Sequence, residues 1–219
     1  MAVLNLVIIG PPGSGKGTQA NLLSERLNLE HLEAGDILRD YVAAGGPRAA
    51  EVNECMQTGK LAPTEILLGI LKEKLAVLPA ARGVIFDGYA RQIAEAKAVE
   101  SMLADIGRRL DKVLYLKVDR ADTIERIGKR LTCKKCDKTL ILGVDVKSAD
   151  EPCPKCGGEL FRREDDSPEK IGKRWETFEE ETKESIAYFR AQDLIAEING
   201  DQPIEDVYGE IIARLGLAG

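Results

Sequence analysis

Short apolar runs alternate along the chain with segments whose apolar residues recur every three or four positions. The runs predict strands at residues 4–9, 31–33, 84–87, 112–118 and 194–198. The periodic segments predict helices at residues 16–27, 64–78, 92–106, 121–131, 168–192 and 204–215. Such alternation favours an α/β fold, a doubly wound parallel sheet of five strands with helices on both faces. The continuous run Val113-Leu114-Tyr115-Leu116 fits a strand that is buried on both sides.

Two of the predicted helices have recognisable start signals. Ser167 directly before Pro168 predicts the N-cap and first position of the longest helix. Asp119, with Asp122 three residues later, predicts the start of the helix that carries Arg126 and Arg130.

Two stretches interrupt the alternation of strands and helices. Residues 33–62 are short helical pieces rich in glycine and alanine, and residues 129–166 carry four cysteines and many charges. Because ligands bind at the carboxyl ends of the strands in open α/β sheets, we expect both stretches to be lobes inserted above those ends. The predicted organisation is a core of residues 1–32, 63–128 and 167–219, with inserted lobes at 33–62 and 129–166.

A glycine-rich loop follows the first predicted strand and has the sequence Gly10-Pro11-Pro12-Gly13-Ser14-Gly15-Lys16-Gly17-Thr18-Gln19. Glycines let the backbone turn several N–H groups onto a phosphate, and the next helix points its positive dipole end at the same anion. Lys16 adds a mobile ammonium. The P-loop pattern G-x-x-x-x-G-K-[ST] fails only at its last position, where Gly17 stands one residue before Thr18. We therefore predict a nucleotide phosphate site formed by Gly13, Ser14, Gly15, Lys16, Gly17 and Thr18.

Composition and charge limit the possible partners. The 219 residues suffice for one substantial core, and no apolar run approaches the ~20 residues of a membrane span. A net charge of −6 argues against general nucleic-acid binding, so bound anions must be held by local clusters of arginine. The first strand begins close to Met1, so we expect no leader and a cytoplasmic protein. His31 is the single histidine and is expected to be structural or exposed, so the chemistry should need no histidine base.

Four cysteines form two C-x-x-C pairs, Cys133 with Cys136 and Cys153 with Cys156. Two such turns can close a tetrahedral thiolate site with no open position, which predicts a structural zinc ion. Iron or redox-active cysteines are the alternatives. Cys55 stands apart and is expected to be a packed thiol. A nucleic-acid-binding zinc ribbon is disfavoured because interleaved aromatic residues are lacking and the chain is acidic.

Arginines near the ends of predicted elements complete a wider pattern. Together with the loop at 10–19, the chain resembles the adenylate kinase branch of the nucleoside monophosphate kinases, in the long form with a zinc-bearing lid. The matching stretches are Gly35-Asp36-Ile37-Leu38-Arg39, Gly59-Lys60-Leu61, Asp87-Gly88-Tyr89-Ala90-Arg91, the two C-x-x-C pairs, Gly157-Gly158-Glu159-Leu160, Arg163-Glu164-Asp165-Asp166 and Arg174. The resemblance covers nearly the whole chain in order.

The resemblance implies a role for each matching residue. The catalytic cations would be Lys16, Arg91, Arg126, Arg130, Arg163 and Arg174, and ATP would also contact residues 13–18 and, through its adenine, Gly200. The AMP-binding residues would be Ala34, Arg39, Lys60, Leu61, Ala62, Gly88, Arg91 and Glu95. Asp36 and Asp87 would hold the water shell of magnesium, Asp165 and Asp166 would be hinge-side carboxylates of the lid, and Cys133, Cys136, Cys153 and Cys156 would bind zinc.

The implied activity is reversible transfer of the terminal phosphoryl group of MgATP to AMP, giving two ADP under a closing lid. Residues 33–62 would then be the lobe that binds the nucleoside monophosphate, and residues 129–166 the zinc-binding lid. The physics agrees, because in-line transfer between polyanions depends on positioning and cations, and the acceptor phosphate needs no general base. We expect a monomer without nucleic-acid or membrane partners.

The chain departs from the family pattern at four places. Ala34 replaces a hydroxyl residue, Tyr89-Ala90 replaces Phe-Pro, Lys129 replaces the glycine at the start of the lid, and Glu95 replaces the glutamine that reads the AMP base.

Glu95 opens an alternative acceptor, because a carboxylate offers only hydrogen-bond acceptors whereas adenine presents both a donor and an acceptor. A kinase for GMP, CMP or UMP is therefore an alternative, as is base recognition by Gln92 or backbone groups. A nucleotide-dependent switch or ATPase is a remote alternative, since the strand at 84–87 leads directly into a loop suited to an acceptor.

Overall fold

The computed structural model describes residues 3–136, 138–163 and 166–217. Its strands are β1 (Asn5–Ile9), β2 (Leu29–Glu33), β3 (Gly83–Asp87), β4 (Lys112–Lys117), β5 (Arg130–Cys133), β6 (Thr139–Ile141), β7 (Leu160–Phe161) and β8 (Ile195–Asn199). Its helices are α1 (Lys16–Leu27), α2 (Ala34–Ala43), α3 (Ala49–Thr58), α4 (Thr64–Ala76), α5 (Ile93–Asp105), α6 (Arg120–Gly128), α7 (Pro168–Ala191) and α8 (Ile204–Arg214).

Five parallel strands form the central sheet in the order β2-β3-β1-β4-β8. The strand order changes direction around β1, so the loops after β1 and its neighbours open at a switch point where ligands bind in such sheets. The predicted doubly wound parallel sheet is confirmed. A second, antiparallel sheet in the order β6-β5-β7 lies within the cysteine-rich insertion.

Alternate residues of the central strands pack into two layers of core. On one face, Val7 and Ile9 of β1 pack in a cluster that also contains Phe189 of α7. On the other face, Leu6 and Ile8 pack in a cluster with residues of α1 and α8. All five residues of β1 are buried, which explains why Leu6 to Ile9 form a continuous apolar run.

The start signals of two helices can be compared with the structure. Ser167 is the N-cap of α7, its side chain accepts a hydrogen bond from the Lys170 amide, and Pro168 follows as the first helical residue, as predicted. Asp119 occupies the N-cap position of α6, but its side chain makes no capping hydrogen bond. The backbone amide of Asp119 instead donates to Asp201 Oδ2 at 3.1 Å.

The end of α6 differs from the prediction. The periodicity predicts a helix through residue 131, but α6 ends at Gly128, and Arg130 and Leu131 lie in β5. Leu131 is buried in a small cluster with Leu140 and Leu160, which belong to the two strands paired with β5. Burial in this second core therefore overrides the helical pattern.

The stretch at 33–62 contains α2 and α3, as its helical pieces predict, and Gly59 ends α3 in the left-handed conformation at φ 74°. Cys55 is half-buried within α3. Among the described residues, no helix combines the length and apolar character that crossing a bilayer requires.

Candidate functional site

The glycine-rich loop joins β1 to α1 and turns tightly at two glycines. Gly13 and Gly15 have φ of 78° and 87°, in the left-handed region that side chains disfavour. A Cβ atom at Gly13 would also lie 2.7 Å from the carbonyl oxygen of Thr123, so the loop packs closely against α6. Because Gly15 caps α1 without a side chain, the first amides of the helix remain open toward a bound anion.

Lys16, the first residue of α1, lies at the bottom of the loop. Its Nζ donates to the carbonyl oxygen of Pro11 at 3.0 Å. Burial lowers the pKa of Lys16 to about 8, the nearby Asp87 partly opposes this shift, and Arg91 and Arg174 add to it. A bound phosphate would restore the charged form, because an anion next to an ammonium raises its pKa.

One cavity of about 640 Å³ connects the loop with the rest of the predicted site. Every residue predicted to contact ATP or AMP lines it. They are Gly13, Ser14, Gly15, Lys16, Gly17, Thr18, Ala34, Arg39, Lys60, Leu61, Ala62, Gly88, Arg91, Glu95, Arg126, Arg130, Arg163, Arg174 and Gly200. Of the predicted magnesium-shell residues, Asp87 lines the cavity, whereas Asp36 lies outside its lining and pairs with Arg39.

The loop after β3 brings Arg91 to one side of the cavity. Gly88 has φ 80° and Ala90 has φ 56°, so two residues of this short loop adopt the left-handed conformation. The carbonyl oxygen of Ala90 accepts a buried hydrogen bond from Ser185 Oγ of α7 at 2.6 Å. Proline could not adopt this φ, so the conformation at Ala90 is incompatible with the proline of the family pattern.

Four further arginines reach the cavity from α6, the cysteine-rich lobe and α7. Arg126 donates to the carbonyl oxygen of Gly200 at 3.0 Å, and Arg163 Nε donates to Thr132 Oγ1 at 3.1 Å. Arg130 and Arg174 both face Asp166, whose side chain is 5% exposed, and Arg130 Nε lies 2.8 Å from Asp166 Oδ2. The protein thus holds these cations with its own oxygen atoms. Asp165, the other predicted hinge carboxylate, lies outside the described residues.

Acidic groups lie beside the loop at the carboxyl ends of β2 and β3. Ligand atoms of His31, Glu33 and Asp87 lie within 4.8 Å of one another, and Asp87 Oδ2 is 3.6 Å from the ideal Cβ position of Gly17. Burial raises the pKa of Glu33, and Asp87 and Asp36 raise it further. Burial alone would lower the pKa of His31, but hydrogen bonding to Asp87 and its charge raise it overall.

These carboxylates fit a hydrated magnesium ion. Oxygen is the ligand that Mg²⁺ prefers, and this ion usually keeps several waters that carboxylates can accept from. His31 Nδ1 lies 2.9 Å from Asn21 Oδ1, so the ring is held within β2 rather than offered to a substrate.

The four cysteines of the two C-x-x-C pairs meet beside the second sheet, where Cys133 is the last residue of β5. Their sulfur atoms lie within 4.8 Å of one another, with Cys133 and Cys156 3.4 Å apart and Cys136 and Cys153 3.8 Å apart. Thiolates around one tetrahedral zinc ion lie about 3.8 Å apart, because each Zn–S bond is about 2.3 Å. A Cβ at Gly158 would lie 2.8 Å from Cys133 Sγ, so glycine is needed beside the sulfurs. The cluster is compatible with structural zinc.

The structure adds cavity residues that sequence reasoning missed. Glu33, Tyr89 and Thr182 line the cavity, as do Thr139, Ile141 and Val144 of the cysteine-rich lobe and Gln202, Ile204 and Val207 near α8. Glu33 could have been noticed as an acidic residue at the end of a predicted strand. Tyr89 belongs to the matching stretch at 87–91. The others carry no local signal, because they reach the cavity only through the packing of distant elements.

A P-loop at a switch point, continuous with a second arginine-lined pocket, defines a nucleotide-binding protein that holds two phosphate-bearing ligands in one cavity. The sequence profile described as adenylate kinase matches residues 8–194 of the chain. The chain therefore belongs to the adenylate kinase family.

Relatives agree with this assignment over nearly their whole length. The chain is 38% identical to an adenylate kinase of Syntrophotalea carbinolica over 213 residues, which cover 97% of this chain and 99% of the relative. It is 36% identical to an adenylate kinase of Archaeoglobus fulgidus over 212 residues, covering 97% and 98% of the two chains. It is 37% identical to an adenylate kinase of Desulforudis audaxviator over 213 residues, which cover 97% of this chain and 100% of the relative. The resemblance stated from the motifs is confirmed.

Proposed function

We propose that the protein is a phosphotransferase that reversibly moves the terminal phosphoryl group of MgATP to AMP, giving two ADP. One observation carries this proposal: a single cavity joins the phosphate-binding loop and Lys16 to a second pocket that contains Arg39 and Arg91. A nucleotide hydrolase needs only the first pocket, whereas a transfer between two nucleotides needs both.

The residues act mainly by positioning and by charge. Lys16 and the loop amides hold the terminal phosphates of the donor, and Arg39 and Arg91 hold the α-phosphate of the acceptor. Arg126, Arg130 and Arg163 contact the donor phosphates when the lid closes, and Arg174 lies near the transferred group. Charge spreads over the oxygen atoms of that group in the transition state, so these cations stabilise it more than the ground state.

Asp87 would accept hydrogen bonds from the water shell of a bound magnesium ion, and the family resemblance implies the same role for Asp36. When bound with ATP, Mg²⁺ would supply positive charge that offsets the negative charge developing on the phosphates. The position of Asp87 beside Gly17 supports its role, since this carboxylate lies next to the anion-binding loop.

The lobe at 129–166 acts as a lid that excludes water from the donor phosphates, and the lobe at 33–62 binds AMP. A zinc ion would be held by the four paired cysteines, Cys133, Cys136, Cys153 and Cys156. When bound, zinc supplies folding free energy to a lobe whose own apolar cluster is small. The cytoplasmic location, the monomeric state and the absence of nucleic-acid and membrane partners remain predictions of the sequence.

The alternative acceptors GMP, CMP and UMP, and the switch or ATPase, are not favoured, because relatives spanning the whole chain are adenylate kinases. Steady-state rates with AMP, GMP, CMP and UMP at fixed MgATP test the choice of acceptor. We expect kcat/KM for AMP to exceed that of each other acceptor. A higher kcat/KM for any of the other three would overturn AMP as the substrate.

A further inference from the structure

A buried carboxyl group lies in the acceptor half of the cavity. Glu95, in the first turn of α5, is only 2% exposed, yet it lines the cavity together with Arg91, Leu61 and Ala62. Its Oε2 accepts a hydrogen bond from the backbone amide of Arg91 at 2.9 Å. Glu95 is therefore fixed by the same loop that presents the arginine proposed to bind the acceptor phosphate.

We propose that Glu95 reads the adenine of AMP as a neutral carboxylic acid, so that AMP binding takes up a proton at this side chain. This inference rests on the proposed function and names the group that selects its acceptor. The reacting atoms lie elsewhere, so Glu95 is a specificity-determining residue and not a catalytic one.

The hydrogen-bonding pattern of adenine requires the neutral form. The edge of adenine offers the N6 amino group as a donor and N1 as an acceptor. A carboxylic acid presents one O–H donor and one carbonyl acceptor, the same pair that a glutamine side chain presents, whereas a carboxylate presents acceptors only. An ionised Glu95 would face N1 lone pair to lone pair, and an unpaired buried charge is costly.

The proton of Glu95 and its hydrogen bonds to Arg91 and adenine can be assigned in the complex. Oε2, as the carbonyl oxygen, has two lone pairs, of which one accepts from the Arg91 amide and the other can accept from the adenine N6 amino group. Oε1 carries the proton and donates it to adenine N1. The proton comes from solvent, so one proton is bound for each AMP when the free enzyme is ionised.

The surroundings of Glu95 favour a neutral carboxyl group. Burial raises the pKa of Glu95 above its ordinary value. The charge of Arg91 opposes this shift, and so do three hydrogen bonds, which come from the backbone of Arg91, the backbone of Gln92 and the Thr64 side chain at the start of α4. Burial raises the pKa of the Tyr89 phenol, and the nearby Glu95 and Asp87 raise it further, so the Tyr89 phenol stays neutral. From α7, Glu181 accepts from Gln92 Nε2. Bound adenine would desolvate Glu95 further and raise its pKa again.

The sign of the pH dependence follows from linkage. If AMP binds the protonated form, its affinity is fully present below the pKa of Glu95 in the free enzyme. Affinity is lost above that pKa, by about tenfold per pH unit for one proton. A glutamine at this position would carry the same donor and acceptor at every pH, so Glu95→Gln should remove this dependence while keeping the hydrogen bond from Arg91.

Calorimetric titration of the full zinc-loaded protein with AMP alone tests the proposal. Each titration is run from pH 6 to 9 in two buffers of different ionisation enthalpy, which gives the number of protons taken up. Wild type should take up more protons per AMP than Glu95→Gln, and this difference should rise toward one as the pH rises. The ratio of the wild-type Kd to the variant Kd should rise about tenfold per pH unit. The comparison cancels the titration of the AMP phosphate and of Lys16, which both proteins share.

Glu100→Gln on the same helix is the matched control, because Glu100 lies outside the cavity lining and accepts from Tyr188 Oη. It should behave as wild type. Equal proton uptake and parallel Kd profiles for wild type and Glu95→Gln would overturn the proposal. If AMP neither binds at any pH nor yields ADP with MgATP, the proposed function itself fails; if AMP binds and reacts without the extra proton, only the role of Glu95 fails.

Discussion

At the scale of single residues, the cations of the site are held in place by protein oxygen atoms. Lys16 contacts the Pro11 carbonyl, Arg126 the Gly200 carbonyl and Arg130 the Asp166 carboxylate. These contacts limit the side-chain freedom that each cation would lose when a phosphate binds, and ordered charges of this kind stabilise a transition state without further reorganisation. Incoming phosphates then replace or share these partners.

Arg91 gives the sharpest test at this scale. Replacing it with alanine removes the charge proposed to hold the acceptor phosphate, so acceptor-dependent turnover should fall by several orders of magnitude, as expected when a positioning cation is lost. Steady-state formation of ADP from MgATP and AMP measures the effect.

Arg109→Ala is the control for charge removal, because the Arg109 side chain is 89% exposed, faces Asp111 at 3.5 Å and lies outside the cavity lining. It should leave turnover unchanged. A loss of less than tenfold in Arg91→Ala would contradict the role assigned to Arg91.

The phosphate loop and the arginines of the cavity could be predicted from the sequence, but the partners of these residues could not. The spacing of Gly10 to Thr18 specifies a phosphate loop, because its glycines and lysine are needed within one turn. The contacts between Ser185 and Ala90, or between Arg130 and Asp166, join residues far apart in the chain. Such contacts depend on how helices pack, and no local pattern encodes them.

At the scale of elements, short segments were harder to predict than long ones. The periodicity of residues 121–131 predicts a helix throughout, but Leu131 pairs instead with Leu140 across β5 and β6 and is buried there. Strands as short as β6 and β7 have too few residues for an alternating pattern to be recognised. Both strands form by pairing with β5.

The cysteine-rich lobe should depend on its metal. Removing zinc with a chelator should unfold residues 129–163 first, because the apolar cluster of this lobe is small and thiolates without a metal lose their shared partner. Amide hydrogen exchange, read segment by segment, should show lost protection in β5, β6 and β7 while β1 and β4 stay protected.

Cys136→Ser should reproduce this loss of protection, and Cys55→Ser should not, since Cys55 lies in α3 away from the cluster. Unchanged amide hydrogen exchange and thermal stability after removal of the metal would contradict the structural role of zinc.

At the scale of the whole molecule, the sheet brings distant insertions to one cavity. The loops after β1, β2, β3 and β4 leave the same edge of a parallel sheet, so the phosphate loop, the lobe at 33–62 and the Arg91 loop converge. A buried hydrogen bond from Trp175 Nε1 to Thr123 Oγ1, 2.8 Å long, connects α7 to α6. This architecture could be predicted from the sequence, because alternation and strand burial are global patterns.

Transfer between two nucleotides is the central claim, and the fate of the terminal phosphate tests it most directly. ATP labelled at its γ-phosphate is mixed with the protein, Mg²⁺ and AMP, and the products are separated over a single turnover. The account predicts that the label appears in ADP, one for each ATP consumed, and that without AMP its release as inorganic phosphate is slower by orders of magnitude. Release as inorganic phosphate at the same rate with and without AMP would contradict it.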